Sequence, residues 1–268
     1  MTFSSTSPTS AALKDVVRHF WEVDRDGPYS LRETIIPKGN VEIIFNLYPE
    51  ATIDGVVGDL PLRVPRCFIS GFHTVPIHLQ VPGRQRFFGV FIHPAAFGKL
   101  FKVQVTEFAN KCIDLTLVDG TMNSLWHELA EQKSFDDRTH VFSTWLMQRL
   151  PSTSRHEVLF NNFLSCQSRV MPVAELSRWL CYSPRHLSRK LLALTGMNLE
   201  QTLLYKKYLQ GIELIHHSQL SLSEIAHECN FSDQAHFSRT FKSYARLNPH
   251  EYRSLKSHIS GHIFQVVR

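Results

Sequence analysis

Ala235, Arg239 and Lys242 are spaced to lie on one stripe of a helix, with Gln234 and His236 on its flanks. These side chains suit reading a DNA major groove. An amide both donates and accepts, a small residue allows close approach, and a guanidinium reaches guanine or phosphate. About fifty residues earlier, Arg185, Ser188 and Arg189 form a second outward face of the same kind.

Such faces act only if short helices hold them in place. Ser221 is placed to cap a helix over 222–229, and Glu224 at its third position completes a capping box. Leu222, Ile225, Ala226 and Cys229 recur at i, i+3, i+4, i+7, which is one buried stripe. Asn230-Phe231 makes the turn. Ser232 is expected to cap the next helix, on which Phe237, Phe241 and Tyr244 point inward. The first unit repeats this pattern. Ala174-Glu175-Leu176-Ser177 corresponds to Ser223-Glu224-Ile225-Ala226, 49 residues later, and Leu187-Ser188-Arg189 to Phe237-Ser238-Arg239, 50 later. Ser183-Pro184 supplies a cap and a first-turn proline, Leu187, Leu191 and Leu194 a core stripe, and Gly196 a stop. Between the units, residues 199–217 predict one helix, about 28 Å long at 1.5 Å per residue. Recognition helices in successive major grooves on one DNA face lie about 34 Å apart. Two matched units on one rigid helix therefore predict a DNA-binding module.

The chain has 268 residues and a net charge of +5, with 43% hydrophobic and 20% charged residues, which allows a core in each of two domains. The charge is uneven: residues 155–268 hold 14 Lys and Arg against 8 Asp and Glu, and residues 1–154 hold 15 against 16. The excess favours a polyanionic partner for the second half. Residues 1–12, rich in Ser, Thr and Ala, are expected to be a disordered tail. Short β-branched or aromatic runs at 41–47, 67–72, 76–81 and 87–93 are separated by Gly, Pro and Asn clusters. They predict a small β-barrel or sandwich in a domain over 13–150, which ends in helices over 121–132 and 136–150. Residues 151–157 read as a linker and 158–256 as a helical domain, while 258–268 are ambiguous. Strands followed by helices give an α+β class. No basic segment followed by an apolar core opens the chain, and no window approaches eighteen continuous apolar residues. A cytoplasmic protein is expected.

Other constellations carry less. The cysteines, Cys67, Cys112, Cys166, Cys181 and Cys229, contain no CxxC pair, and the odd count points to reduced thiols. His73, His78 and His93 lie near predicted strands. A metal site in a cupin-like barrel would want HxH and an acid, but HxH is absent and no acid occurs between Leu60 and His93. No metal is expected. Trp21, Phe45, Phe72 and Phe91, with Phe87 and Phe88, either line an apolar effector pocket or simply fill a β-core; His78 joins the first four as the candidate effector set. No Walker loop, GxGxxG, nucleophile elbow or HExxH appears, so no catalytic residue or cofactor is assigned. The competing reading is a metal-dependent or ligand-binding barrel, sensor or enzyme, with DNA binding secondary.

From roughly Phe160 to Arg253 the sequence resembles the AraC/XylS family of bacterial transcriptional regulators. That family's second unit typically reads I-A-x-x-x-G-F-x-x-x-S-x-F-x-R-x-F-K and ends in P-x-x-Y-R. Here stand Ile225-Ala226, Phe231, Phe237, Arg239, Phe241-Lys242 and Pro249-His250-Glu251-Tyr252-Arg253, and the run from Ser183 to Arg189 is also similar. Asn230 and Arg246 replace usual glycines, Ala235 a small polar residue, and Lys207 and Gly211 the usual Arg and Ala of the linker helix. The resemblance implies seven helices, binding near promoters, contact with RNA polymerase, and activation rather than repression. Carried over by position, Arg185, Ser188, Arg189, Gln234, Ala235 and Arg239 would approach bases with His236 beside them, and Lys190 and Lys242 would touch phosphates. The first half resembles, more weakly, a β-rich domain that precedes this module in some regulators. The residues that carry this likeness run from Val41 to Leu47, Gly71, and from Gly89 to Phe97. A sensing or dimerisation role follows, with a small-molecule effector and a homodimer as implied partners.

Overall fold

The computed structural model describes residues 1–48, 52–165 and 171–267. Strands come first: β1 (Thr2–Thr6), then, after the short helix α1 (Ala11–Lys14), β2 (Val17–Asp26), β3 (Leu31–Ile35), β4 (Val41–Asn46), β5 (Asp54–Val57), β6 (Leu60–Arg63), β7 (Cys67–Ser70), β8 (Ile77–Val81) and β9 (Arg84–Ile92). Next come α2 (Pro94–Phe101), a 3-10 turn at Val105–Phe108, β10 (Cys112–Asp114), α3 (Thr121–Glu131) and α4 (Phe135–Met147). One further strand, β11 (His262–Val266), lies at the far end of the chain. The described strands form two sheets in the orders β1-β2-β9-β4-β7-β10 and β11-β3-β8-β5-β6. The β-rich part is thus a pair of sheets and not a closed barrel.

Period-two alternation sorts the aromatics of the first sheet. Phe20, Phe45 and Phe88 turn to one side, where each ring lies about 6 Å from Phe142 of α4. Their neighbours Trp21, Ile44 and Phe87 turn to the other side, toward the second sheet. Trp21 lies directly opposite Gly89 of β9, and a Cβ there would come within 2.1 Å of the indole.

Residues 1–12 are not the expected disordered tail. β1 pairs antiparallel with β2, Thr2 opposite Asp24 through Thr6 opposite Phe20. Its composition is that of a loop, but an open sheet edge supplies partners that composition cannot show. The ambiguous end resolves in the same way, as β11 pairs antiparallel with β3, His262 opposite Ile35 through Val266 opposite Leu31.

Seven helices among the described residues make up the carboxy-terminal part: α5 (Arg155–Ser165), α6 (Val173–Trp179), α7 (Pro184–Thr195), α8 (Leu199–His217), α9 (Leu222–Glu228), α10 (Gln234–Ala245) and α11 (Pro249–Leu255). Ser221 and Glu224 form the expected capping box of α9. The cap of α10 is Asp233 and not Ser232: the Asp233 carboxylate accepts the His236 N–H at 2.7 Å, while Ser232 Oγ lies 3.1 Å from His236 Nδ1. Asn230 takes the left-handed turn at φ 56°, and Cys181 does the same in the first unit at φ 54°. Gly211 has a packing reason, because a Cβ there would lie 2.7 Å from the Phe237 ring.

The two units are held differently. Phe160, Leu176, Leu187 and Leu191 make a small core of their own under α7. Tyr205, Tyr208, Ile225, Phe237 and Phe241 instead belong to the core that fills the amino-terminal domain. Phe72 and Tyr205 join the two parts at 5.3 Å, and Tyr205 Oη donates to the His73 carbonyl at 2.8 Å.

Candidate nucleic-acid interface and the cavity beside it

Arg185 and Arg189 are exposed on α7, and Gln234, Ala235, Arg239 and Lys242 are exposed on α10. His236 is half-buried, with its ring centre 5.2 Å from that of Phe231 and the two rings nearly perpendicular. Ser188 is also half-buried, and its Oγ accepts from the Leu199 N–H at 3.3 Å, tying α7 to the start of α8. Lys190, expected at a phosphate, is half-buried and has partners within the first unit. Its Nζ donates to Tyr182 Oη at 3.0 Å and sits 5.0 Å from the Tyr182 ring centre and 5.4 Å from that of Phe160. The lysine lies along the first unit's core, where its stem and charge are both used. In the second unit Lys207 donates to the Asn230 carbonyl and lies over Phe231, which pins the turn before α10. Asp233 is held below the usual carboxylate range, chiefly by the His236 N–H it accepts. A capping anion is thereby fixed at the start of the recognition helix.

A cavity of about 490 Å³ lies between the two sheets, closed at one side by α8 and β11. Trp21, Ile44 and Phe91 reach it from the first sheet, Leu79 from the second, Leu209 from α8 and Phe264 from β11. Of the candidate effector set, Trp21 and Phe91 line it. Phe45 and Phe72 do not; they are core residues. Phe45 fails for the alternation already described. His78 is also outside the lining, with its Nδ1 3.0 Å from Thr34 Oγ1.

The polar wall came from residues no local pattern marked. Trp21 Nε1 donates to Glu42 Oε2 at 3.1 Å, and Lys38 Nζ lies 3.6 Å from Glu42 Oε1 and 2.9 Å from His262 Nε2. His262 Nδ1 lies 2.6 Å from Glu33 Oε1. Burial, then the Lys38 charge, lowers the His262 pKa. The neutral ring that donates from Nδ1 to Glu33 and accepts from Lys38 at Nε2 satisfies every partner.

His73, His78 and His93 do not converge: His73 bonds Ser70, His78 bonds Thr34, and His93 Nδ1 lies 3.4 Å from Ser165 Oγ. Among the described residues no three His, Cys, Asp or Glu are grouped to hold a metal ion. Burial pushes Cys112 and Cys229 up to about 12 and raises Cys67 further, so these thiols stay protonated. Cys181 is exposed, and Cys166 lies outside the described residues. Among the described residues no helix is long and apolar enough to cross a membrane.

Two helix-turn-helix units on one connecting helix, each with an exposed basic recognition face, define a DNA-binding module of the kind transcription regulators carry. Residues 176–254 match the family described as a helix-turn-helix domain, and residues 5–114 match one described as a domain of unknown function, DUF6597. Over 143 residues the chain is 30% identical to the HTH-type transcriptional activator RhaR of Salmonella dublin, an alignment that covers 52% of this chain and 49% of the relative. The RhaR of Salmonella typhimurium is 31% identical over 145 residues, with the same coverage. The chain spans about half the length of the curated relatives it matches. Among solved structures, ToxT of Vibrio cholerae aligns over 96% of this chain and 99% of its own, at 11% identity and a TM-score of 0.49. The carboxy-terminal module is thus similar, over residues 176–254, to the helix-turn-helix domains that such regulators carry.

Proposed function

We propose that the chain is a sequence-specific DNA-binding transcription regulator, an activator working in the cytoplasm on promoter DNA and RNA polymerase. The observation that carries this reading is the pair of exposed faces, Arg185 and Arg189 on α7 and Gln234, Arg239 and Lys242 on α10, set on equivalent helices flanking α8. In this reading the arginines and Gln234 meet base edges, Ala235 allows close approach, and Lys242 meets phosphate. The amino-terminal domain is proposed to sense a small effector in the 490 Å³ cavity, whose wall includes Leu209 and Ile212 of the helix that bears both units. A homodimer is the proposed assembly, since β1 leaves one sheet edge open. DNA binding by the purified chain, titrated across salt, tests the reading. Affinity should fall steeply with salt as Lys and Arg contacts release counterions. Arg239→Ala should cost about 1–3 kcal/mol of specific affinity, as for one bidentate base contact. Unchanged affinity and specificity in that variant would refute its role.

A further inference from the structure

The two recognition helices share one plan. Each is 12 residues long and stops at a left-handed residue, Gly196 at φ 76° after α7 and Arg246 at φ 58° after α10. Each is capped by a side chain that accepts the N–H of a histidine three residues on, Ser183 from His186 at 3.3 Å and Asp233 from His236 at 2.7 Å. Each histidine lies against the aromatic residue of the preceding turn, with ring centres 4.7 Å apart for His186 and Tyr182 and 5.2 Å for His236 and Phe231. Position 185 therefore corresponds to 235, 189 to 239 and 192 to 242.

The outward faces nevertheless differ. Arg189 and Arg239 match, and both are exposed. Pro184 stands in the place of Gln234, Arg185 in that of Ala235, and the exposed Leu192 in that of Lys242. Lys190 does not make up for the missing lysine, because its Nζ donates to Tyr182 Oη. Side chains near the start of a recognition helix are the ones that reach base edges. An arginine forks onto guanine O6 and N7, a glutamine pairs with adenine N6 and N7, and an alanine packs against the thymine methyl. By this chemistry α7 carries two guanine readers, Arg185 and Arg189. Helix α10 carries one, Arg239, beside an adenine reader and a seat for a thymine methyl.

We propose that the two units read unequal half-sites: α7 a half-site with two G·C pairs, through Arg185 and Arg189, and α10 a half-site with one G·C pair and A·T pairs, through Arg239, Gln234 and Ala235. The position shared by Arg185 and Ala235 sets the difference. The proposal rests on the DNA-binding reading and adds the base content of the DNA bound.

The test compares the full chain with its Arg185→Ala and Ala235→Arg variants, both changed at exposed positions. Each protein selects from a random duplex pool at physiological salt, and affinities are then measured on duplexes with single base-pair changes. The unaltered chain should enrich two half-sites of different base content. Arg185→Ala should lower the preference for one G·C pair of the richer half-site by about tenfold and leave the other half-site as it was. Ala235→Arg should replace an A·T pair of the poorer half-site by a G·C pair. Half-sites of equal base content overturn the proposal, and so does a motif that either variant leaves unchanged. So does an Arg185→Ala protein that binds all duplexes more weakly by one factor, the mark of a phosphate contact. A pool that the unaltered chain does not enrich overturns sequence-specific binding itself, so the two failures are told apart.

Discussion

Neighbouring basic residues on α7 do different work. Arg189 is exposed, while Lys190 donates to Tyr182 and lies over Phe160. Removing Lys190 costs a hydrogen bond and two cation–ring contacts of the first unit's core. Lys190→Ala should therefore lower stability by about 1–2 kcal/mol and leave the salt slope of DNA binding unchanged, whereas Arg189→Ala should reduce DNA affinity with little change in stability. Thermal melts and salt titrations separate the two. A salt slope smaller by about one in the Lys190 variant would restore the phosphate contact. A second residue-scale prediction concerns acid. Burial, with the Arg18 and Lys38 charges behind it, lowers His19 to about 4, and burial with Lys38 lowers His73 to about 4. Below pH 6.5 the unfolded chain takes up protons that the native state refuses until about pH 4, so stability should fall across that window. Denaturant midpoints at several pH values check this, and a flat profile between pH 6.5 and 4 would contradict it.

At the scale of elements, β11 is the part with the largest consequence. It follows α11 after six residues, completes the second sheet beside β3, and seats Phe264 and His262 on the cavity. Gly261 N donates to Tyr252 Oη at 2.9 Å and Gly261 O accepts from Ile36 N at 2.9 Å, so the strap is fastened to both domains. Ending the chain after Ser257 should lower the melting temperature and raise Nile red uptake as the cavity opens; an unchanged melt and uptake would show that the strap holds nothing. None of this was legible beforehand, because a strand's partner lies far off in sequence and β1 and β11 carry no alternation of their own. What was legible is local. Helix α8 spans the expected residues, and the Ser221–Glu224 box caps α9, because periodicity and capping are set within a few residues. Ser232 against Asp233 shows the limit: two adjacent capping residues, and only the geometry decides. The same holds for the aromatics, where Trp21 and Phe91 line the cavity but Phe45 and Phe72 do not.

Across the whole molecule, the second helix-turn-helix unit shares one core with the amino-terminal domain, and the first keeps a small core of its own. Tyr205, Leu209 and Phe237 thus pack α8 and α10 into the core of the sheets, while Ser188 ties α7 to the start of α8. Such coupling matters only if both units read one stretch of DNA. Selection of bound sequences from a random duplex pool by the full-length protein, at physiological salt, tests that claim most directly. The account predicts an enriched motif with two half-sites about ten base pairs apart, centre to centre, as two recognition helices on one DNA face require. A pool without enrichment, or the same motif drawn out by a protein carrying both Arg189→Ala and Arg239→Ala, would contradict it.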